Sequence, residues 1–303
     1  MRFEIVAHAK INLALHILGR RPDGFHEIDS LVVFADFGDR VVLTPNGAPK
    51  LKVRGQFARD VPSDASNLAA RAASLAGAPD DIGIALHKNI PVGAGLGGGS
   101  ADAAAVMTLL GQRFGCPVPN VDAVAELGAD LPVCLTGRPA RVTGIGDGTS
   151  PLSGMPRLPL VLVNPGVRLD TATVYGCLGT KFQPPLLPLP GELTRHSLCG
   201  WIGRHRNGLL NSAARLAPMI LETLTVLTEQ AGCRAAAMSG SGATCFGAFH
   251  TEQEAGLAAK AILRQRPEWW VRPTLTRNAL NAASRVPGAE RLVRAPDGEI
   301  RQP

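Results

Sequence analysis

A glycine-rich stretch at residues 91–102 constrains this chain more than any other feature. It reads PVGAGLGGGSAD, with five glycines in seven positions, and runs directly into an Ala-rich apolar segment at 103–110. Glycine lets backbone N–H groups approach a ligand that a Cβ would hold away. A helix N-terminus adds unpaired N–H groups and a positive dipole end. We therefore predict a phosphate cradle, with Ser100 capping the following helix and offering its hydroxyl to a phosphate or Mg²⁺.

Other interpretations of the glycine-rich stretch fit less well. A flexible linker would not run straight into a strong helix-forming segment. The spacing Gly93-x-Gly95-x-x-Gly98 matches the dinucleotide-binding pattern, but Pro91 and a polar strand end separate it from the preceding strand. The P-loop pattern is absent because no Gly-Lys-Ser/Thr follows the glycines. A nucleotide-phosphate loop of another type is the better interpretation.

Composition narrows the class of protein. The 303 residues are 45% apolar and 18% charged, which suits one large or two ordinary globular domains. The net charge of +6 is modest, and no basic run interleaved with aromatics occurs in the first 250 residues, which disfavours a nucleic-acid partner. Six scattered cysteines lack metal-ligand spacing and favour reduced thiols. No signal peptide or membrane-length apolar span is present, so we expect a cytoplasmic protein with no membrane partner and no metal site of its own side chains.

Periodicity predicts a two-domain α+β chain. Strands are expected at residues 3–7, 11–17, 30–35, 40–43 and 82–86, and helices at 66–76, from 100 onwards and at 121–127. Pro, Gly and Ser become frequent at 150–159, where we place the domain boundary. The second part should contain strands at 160–163, 235–238, 244–249 and 270–276, and helices at 170–178, 209–229 (with a break near Pro218) and 252–264. The predicted units are 1–152, 153–277 and a polar tail at 278–303.

Several polar residues outside the glycine-rich stretch are candidates for chemistry. Lys10 and Asn12 share one face of a strand, which suits either a donor-rich pocket wall or a solvated face. Asp130 stands among small and apolar residues, either as a helix cap or as a positioned carboxylate. Residues 23–26 form a turn carrying an aromatic ring and an imidazole, and 239–242 a second small-residue loop that could offer N–H groups to an anion.

These segments together resemble the GHMP kinases, a family of small-molecule kinases. Residues 91–101 are similar to the family's ATP loop, and residues 9–13, 19–27, 128–132 and 239–243 match further motifs in the same order. The resemblance covers roughly residues 5 to 250. It implies an N-terminal ribosomal-protein-S5-like ATP-binding domain, a C-terminal ferredoxin-like α/β sandwich domain, and an active site in the cleft between them.

The resemblance also implies an activity. It is the ATP-dependent phosphorylation of the 2-hydroxyl of a cytidine-diphosphate-linked methylerythritol, a small-molecule substrate of the non-mevalonate isoprenoid pathway, with ATP and Mg²⁺ as cofactors and a monomer or weak homodimer as the working form. Lys10 and Asp130 match the catalytic pair. The residues implied for ATP binding are Asn67, Lys88, Pro91, Val92, Gly93, Ala94, Gly95, Leu96, Gly97, Gly98, Gly99, Ser100 and Ala101. Those implied for the cytidyl substrate are Asn12, Phe25, His26, Asp130, Thr171, Tyr175 and Gly240.

Some positions depart from the family pattern, and alternatives to this activity remain. Phe25 stands where tyrosine is usual, Tyr175 where phenylalanine is usual, and Asp147 where glutamate is common. A homoserine or mevalonate kinase would have no reason to place an aromatic pair for a base. A regulatory protein without catalysis is disfavoured by the presence of both Lys10 and Asp130. Nucleic-acid binding through the basic tail would show salt-sensitive affinity for DNA.

Overall fold

The computed structural model describes residues 2–46, 51–117 and 119–278. Apart from Asn278, the tail predicted at 278–303 lies outside these residues. Within them, no helix has the length and apolar character needed to cross a membrane.

A long antiparallel hairpin is the central element of the first half. Strand β1 (Phe3–Arg20) pairs with β2 (His26–Thr44) over almost its whole length. Each replaces two predicted shorter strands, because pairing continues through three shifts in register. One shift lies between His8 and Lys10, where such a bulge re-aims the following side chains.

The remaining strands of the first half extend the sheet that β1 and β2 form. They are β3 (Leu51–Arg54), β4 (Gly83–His87), β5 (Ala140–Gly144) and β6 (Gly148–Pro151). Both β4 and β5 pair antiparallel with β2, β3 runs parallel to β4 at the edge of the sheet, and β6 pairs with β5. The sequence did not predict β3, β5 or β6.

Four helices cover one face of this sheet: α1 (Leu68–Leu75), α2 (Gly98–Phe114), α3 (Val121–Leu127) and α4 (Leu131–Thr136). Their alanines and leucines form one core with the apolar face of the sheet. The predicted cap of α2, Ser100, was wrong. Asn67 caps α1, whereas Asp64 accepts hydrogen bonds from Ser66 in the preceding turn. Gly97, in the left-handed region at φ 62°, precedes α2, and Ser100 lies inside the helix.

The second half alternates helices with a second group of strands. It contains β7 (Pro159–Asn164), α5 (Thr171–Gly176), α6 (Arg195–Ile202), α7 (Leu210–Leu216), α8 (Met219–Thr228), β8 (Ala235–Met238), β9 (Cys245–Ala248), α9 (Glu252–Gln265) and β10 (Trp270–Arg277). The strand order is β10-β7-β9-β8, with every neighbouring pair antiparallel. The predicted break at Pro218 separates α7 from α8, while α6 was not predicted.

Strands β1 and β10 join the two halves. Residues 270–275 of β10 pair with β7, and Thr276 and Arg277 then pair with β2. Ile11 and Leu13 of β1 lie in one core cluster with Trp201 of the second half. Strand β1 is therefore buried on both faces, which places Lys10 and Asn12 between the halves. The domain boundaries that the sequence predicted after residues 152 and 277 stay predictions.

Candidate functional site

A cavity of about 1270 Å³ opens between the two halves. Its walls are strand β1, the tip of the β1–β2 hairpin, the glycine-rich loop before α2, helix α5 and the loop at residues 239–241. Apart from Ala101, every site residue proposed from the sequence lines this cavity. Ala101 is buried in the first turn of α2.

Hydrogen bonds turn the carbonyl groups of the glycine-rich loop away from its N–H groups. The carbonyls of residues 93–96 accept hydrogen bonds from Leu169 N at 3.2 Å, Thr244 N at 3.2 Å, Ser239 Oγ at 2.9 Å and Lys10 N at 2.9 Å. The N–H groups of residues 93 and 95–97 find no partner among the described residues, while residues 92 and 93 form a turn. Backbone N–H groups in such an arrangement form a concave anion site.

Glycine is required in the loop for conformation and for close approach. Gly93, Gly95 and Gly97 all have positive φ angles of 62–71°. A Cβ on Gly95 would lie 2.2 Å from the carbonyl oxygen of Ser239, and one on Gly97 would lie 3.0 Å from Cε of Lys10. The glycines therefore let the second half and the Lys10 side chain approach the loop.

The start of α2 completes a cradle that suits a phosphate. The first-turn N–H groups at 98–100 have no partner one helical turn back, so their dipoles face the cavity. The Ser100 side chain lines the same wall. Bare N–H groups, a helix N-terminus and a hydroxyl fit the nucleotide phosphates expected from the sequence.

Lys10 and Asp130 form an ion pair at the base of this cradle. Lys10 Nζ lies 3.0 Å from Asp130 Oδ2, and the lysine side chain is 5% exposed whereas the aspartate side chain is 43% exposed. Asp130 occupies the position before α4 but makes no capping hydrogen bond. Of the two roles left open by the sequence, this geometry favours the positioned carboxylate. One of its sides is held by Lys10 and the other faces the cavity.

A buried hydrogen-bond chain fixes the lysine. Lys10 Nζ donates to Asn12 Oδ1 at 2.9 Å, Asn12 Nδ2 donates to Ser30 Oγ at 2.7 Å, and Ser30 Oγ donates to the carbonyl of Ala14 at 2.7 Å. Asn12 N also donates to Ser239 Oγ. Asn12 thus orients the ammonium group. Ser30 was missed from the sequence, since no local pattern distinguishes it from other strand serines.

The far end of the cavity carries an aromatic contact. The His26 and Tyr175 rings lie 5.2 Å apart at 42°. Phe25, expected to face Tyr175, is 60% exposed at the rim of the cavity. Burial and the nearby Arg20 lower the pKa of His26, which keeps its imidazole neutral near pH 7. Burial, and then the charge of Asp130, raise the pKa of the Tyr175 hydroxyl.

Thr171 and Gly240 lie on the wall between this aromatic contact and the cradle. Thr171 Oγ1 and Ser241 Oγ are 2.9 Å apart. The carbonyl of Gly240 accepts a hydrogen bond from Asn207 Nδ2 at 2.9 Å. Both residues are thereby fixed by partners in the second half.

Two residues expected at the nucleotide are tied to other protein groups. Lys88 is buried and pairs with Asp39 and Asp102, and no local sequence pattern marked either aspartate as a functional residue. Asn67 Oδ1 accepts from Ala69 N to cap α1, and its Nδ2 donates to the carbonyl of Pro62 at 2.7 Å. Both residues line the cavity through side chains whose polar atoms are largely occupied.

Burial shapes the charge state of the Lys88 cluster. It raises the pKa of Asp102 to about 7, against the opposing charge of Lys88. Burial lowers the pKa of Lys88, but Asp102 and Asp39 outweigh it and the net direction is upward. In the described part of the chain, this cluster included, no group of three or more His, Cys, Asp or Glu side chains is arranged to hold a metal ion.

Comparison with known proteins supplies an independent line of argument. Residues 65–148 match the family described as GHMP kinases N terminal domain, and residues 197–268 match GHMP kinases C terminal. The chain is 47% identical over 272 residues to the 4-diphosphocytidyl-2-C-methyl-D-erythritol kinase of Cereibacter sphaeroides, covering 89% of this chain and 98% of the relative. The enzyme of the same name from Dinoroseobacter shibae is also 47% identical, with 89% and 94% covered.

Two solved kinase structures superpose on this chain. A crystal structure of 4-(cytidine 5'-diphospho)-2C-methyl-D-erythritol kinase superposes with a TM-score of 0.76 at 36% identity, covering 91% of this chain and all of that one. Homoserine kinase from Cytophaga hutchinsonii superposes with a TM-score of 0.63 at 16% identity, covering 92% and 95%, which shows a shared fold alone.

Proposed function

Because this chain belongs to the GHMP kinase family, we propose that it transfers a phosphoryl group from ATP to the 2-hydroxyl of 4-diphosphocytidyl-2-C-methyl-D-erythritol. This reaction belongs to the non-mevalonate route to isoprenoid precursors. Relatives at 42–47% identity over about nine-tenths of the chain are named for this kinase activity. The structural observation that carries the proposal is the Lys10–Asp130 pair beside the glycine-rich cradle in one cavity.

The donor phosphates belong at the cradle. The N–H groups of residues 95–100 would hold the phosphate oxygens, and the Ser100 hydroxyl would hold Mg²⁺ together with them. When bound, ATP with Mg²⁺ supplies the phosphoryl group and neutralises part of its charge. Asn67 and Lys88 would form the outer wall of the nucleotide site.

Lys10 and Asp130 serve the acceptor hydroxyl. The exposed side of the Asp130 carboxylate accepts a hydrogen bond from the hydroxyl, orients it and takes its proton as the oxygen attacks. Lys10 holds that carboxylate and screens negative charge that develops between the two substrates. Phosphoryl transfer depends mainly on positioning and charge stabilisation, which this pair and its Asn12 support provide.

The cytidyl end of the substrate belongs at the aromatic contact. His26 and Tyr175 would stack on the base, Phe25 would cover it from the rim, and Thr171 and Gly240 would line the path toward the cradle. A neutral His26 can also donate or accept a hydrogen bond at the edge of the base. Such a hydrogen bond distinguishes one base from another, which stacking alone cannot do.

Turnover of ATP against a panel of alcohols tests this function. The cytidyl substrate, mevalonate, homoserine and galactose are offered separately, and ADP release is measured. We expect turnover with the cytidyl substrate at least 1000-fold above the others, on the order of what buried polar recognition of a base achieves. Equal or better turnover of homoserine or mevalonate would overturn the substrate assignment while leaving the kinase assignment intact.

A further inference from the structure

The cations that line the cavity differ in how far protein carboxylates neutralise them. Lys10 is paired with Asp130, and Lys88 is held by two buried carboxylates. Arg20 lies beside His26, at the end of the cavity away from the cradle, where burial and then the charge of Arg20 lower the pKa of the imidazole. Arg168, in the loop between β7 and α5, is exposed and makes no hydrogen bond or ion pair with any described residue.

The Arg168 side chain lies across the start of the glycine-rich loop. A Cβ on Gly93 would be 2.7 Å from Arg168 Cγ and 3.4 Å from its Nε. The next residue, Leu169, donates its N–H to the carbonyl of Gly93 at 3.2 Å and so fixes the arginine's backbone on this loop. The bare Cα of Gly93 therefore makes the space through which the guanidinium enters the cavity.

The acidic group close to Arg168 in sequence is Asp170; hydrogen bonds from Thr173, and then the charge of Arg168, lower the pKa of its carboxyl, but the two side chains form no ion pair. The Asp170 carboxylate accepts from Thr173 N and Thr173 Oγ1, both at 2.8 Å, and caps α5. Ser241 and Thr171 face each other across the same wall and carry no charge. An unpaired guanidinium beside a row of free backbone N–H groups is suited to bind phosphate oxygens bidentately.

We propose that Arg168 is a further substrate-binding residue that contacts a phosphate group of a nucleotide bound in the cleft. The glycine-rich loop has no lysine of the P-loop type, and Arg168 supplies a cation at that loop from the second half of the chain. The inference rests on the proposed function, in which both substrates carry phosphates: the triphosphate of ATP and the diphosphate of the cytidyl substrate.

Direct binding to a graded series of ligands tests the contact. Affinities of Arg168→Gln and of the wild type are measured by calorimetry, with Mg²⁺ present, for adenosine, AMP, ADP and ATP and for cytidine, CMP and CDP. We expect a loss of about 10- to 100-fold for the ligands whose phosphate reaches the guanidinium, and none for the two nucleosides. Loss in the adenine series assigns the contact to the donor, and loss in the cytosine series assigns it to the acceptor.

Two further variants control for bulk charge and geometry. Arg264→Gln removes an exposed arginine of α9 that lies outside the cavity, and should leave every affinity unchanged. Arg168→Lys should recover only part of the loss, because an ammonium cannot make the bidentate contact. Equal affinities of wild type and Arg168→Gln for every phosphorylated ligand would overturn the inference, as would an equal loss for the nucleosides. Failure of the proposed function would appear separately, as wild-type protein that does not turn over the cytidyl substrate.

Discussion

At the scale of single residues, the Lys10–Asp130 contact makes the two side chains one functional unit. Asp130→Asn and Lys10→Ala should each lower kcat by about 10²- to 10⁴-fold, because one removes the proton acceptor and the other removes the group that holds it. The double variant should be little slower than the slower single variant. Steady-state kinetics with both substrates measures this, and Asp81→Asn, an exposed carboxylate outside the cavity, is the control. Losses that multiply in full would show that the two residues act separately.

The contact between the His26 and Tyr175 rings predicts that the aromatic residues contribute unequally to binding of the cytidyl substrate. Tyr175→Ala and His26→Ala should raise KM for the cytidyl substrate by roughly 5- to 100-fold, the equivalent of about 1–3 kcal/mol of base stacking. Phe25→Ala should cost less, since its ring is 60% exposed and has no ring partner in the described residues. Tyr175→Phe is the matched control, because it keeps the ring and removes only the hydroxyl. A rise in KM for ATP instead would assign these rings to the adenine.

At the scale of elements, a buried charge cluster ties both ends of the glycine-rich loop. Asp39 of β2 accepts hydrogen bonds from the N–H groups of Asn89 and Ile90, just before the loop, and pairs with Lys88. Lys88 also pairs with Asp102, in the second turn of α2 after the loop. The cluster therefore fixes where the loop starts and where its helix starts.

The raised pKa of Asp102 makes this cluster pH-dependent. Its folded pKa of about 7 exceeds the model-peptide 3.8, so the folded state binds the proton more tightly. The contribution of Asp102 to stability is therefore fully present below about pH 4 and is lost as pH rises through about 7. Asp102→Asn removes that dependence and keeps the Lys88–Asp39 pair.

Urea unfolding of wild type and Asp102→Asn between pH 5 and 8 measures the effect. The difference in free energy of unfolding between the variant and the wild type should shift in favour of the variant as pH rises. A difference that stays constant across this range would show that Asp102 does not titrate in the folded protein.

At the scale of the whole molecule, shared strands couple the two halves. Strand β10 belongs to both groups of strands, and β1 contributes to core clusters on both sides. We therefore expect one unfolding transition. Leu43→Ala in the core of the first half should cost about 2–5 kcal/mol. All three tryptophans lie in the second half, at 201, 269 and 270, so their fluorescence reports on the other core.

In the Leu43→Ala variant, the unfolding transition measured by tryptophan fluorescence should shift by the same amount as the unfolding transition measured by far-UV circular dichroism. Ile262→Ala, in the core of the second half, is the matched variant. A Leu43→Ala protein whose fluorescence transition stays in place while its dichroism transition moves would show that the halves unfold independently.

The amino-acid sequence by itself determined the local features of this protein. The bare glycines before an Ala-rich run predicted the helix that follows them, and 3.6-residue periodicity predicted α3 and α9 with ends within one residue of those observed. Pro218 predicted the break between α7 and α8. These predictions succeed because each depends on backbone freedom or on side chains only a few positions apart.

Tertiary structure alone decided which distant groups meet. Asp39 and Asp102 meet at Lys88 across 49 and 14 residues of chain, and Arg168 reaches Gly93 from the other half. Nothing in the local sequence around an exposed arginine or a strand aspartate shows these partners, because the pairing follows from how β2, β4, α2 and the β7–α5 loop pack. The continuity of the sheet through β10 was likewise invisible in the Pro- and Gly-rich segment that predicted a boundary, since strand pairing is set by contacts between segments more than 200 residues apart.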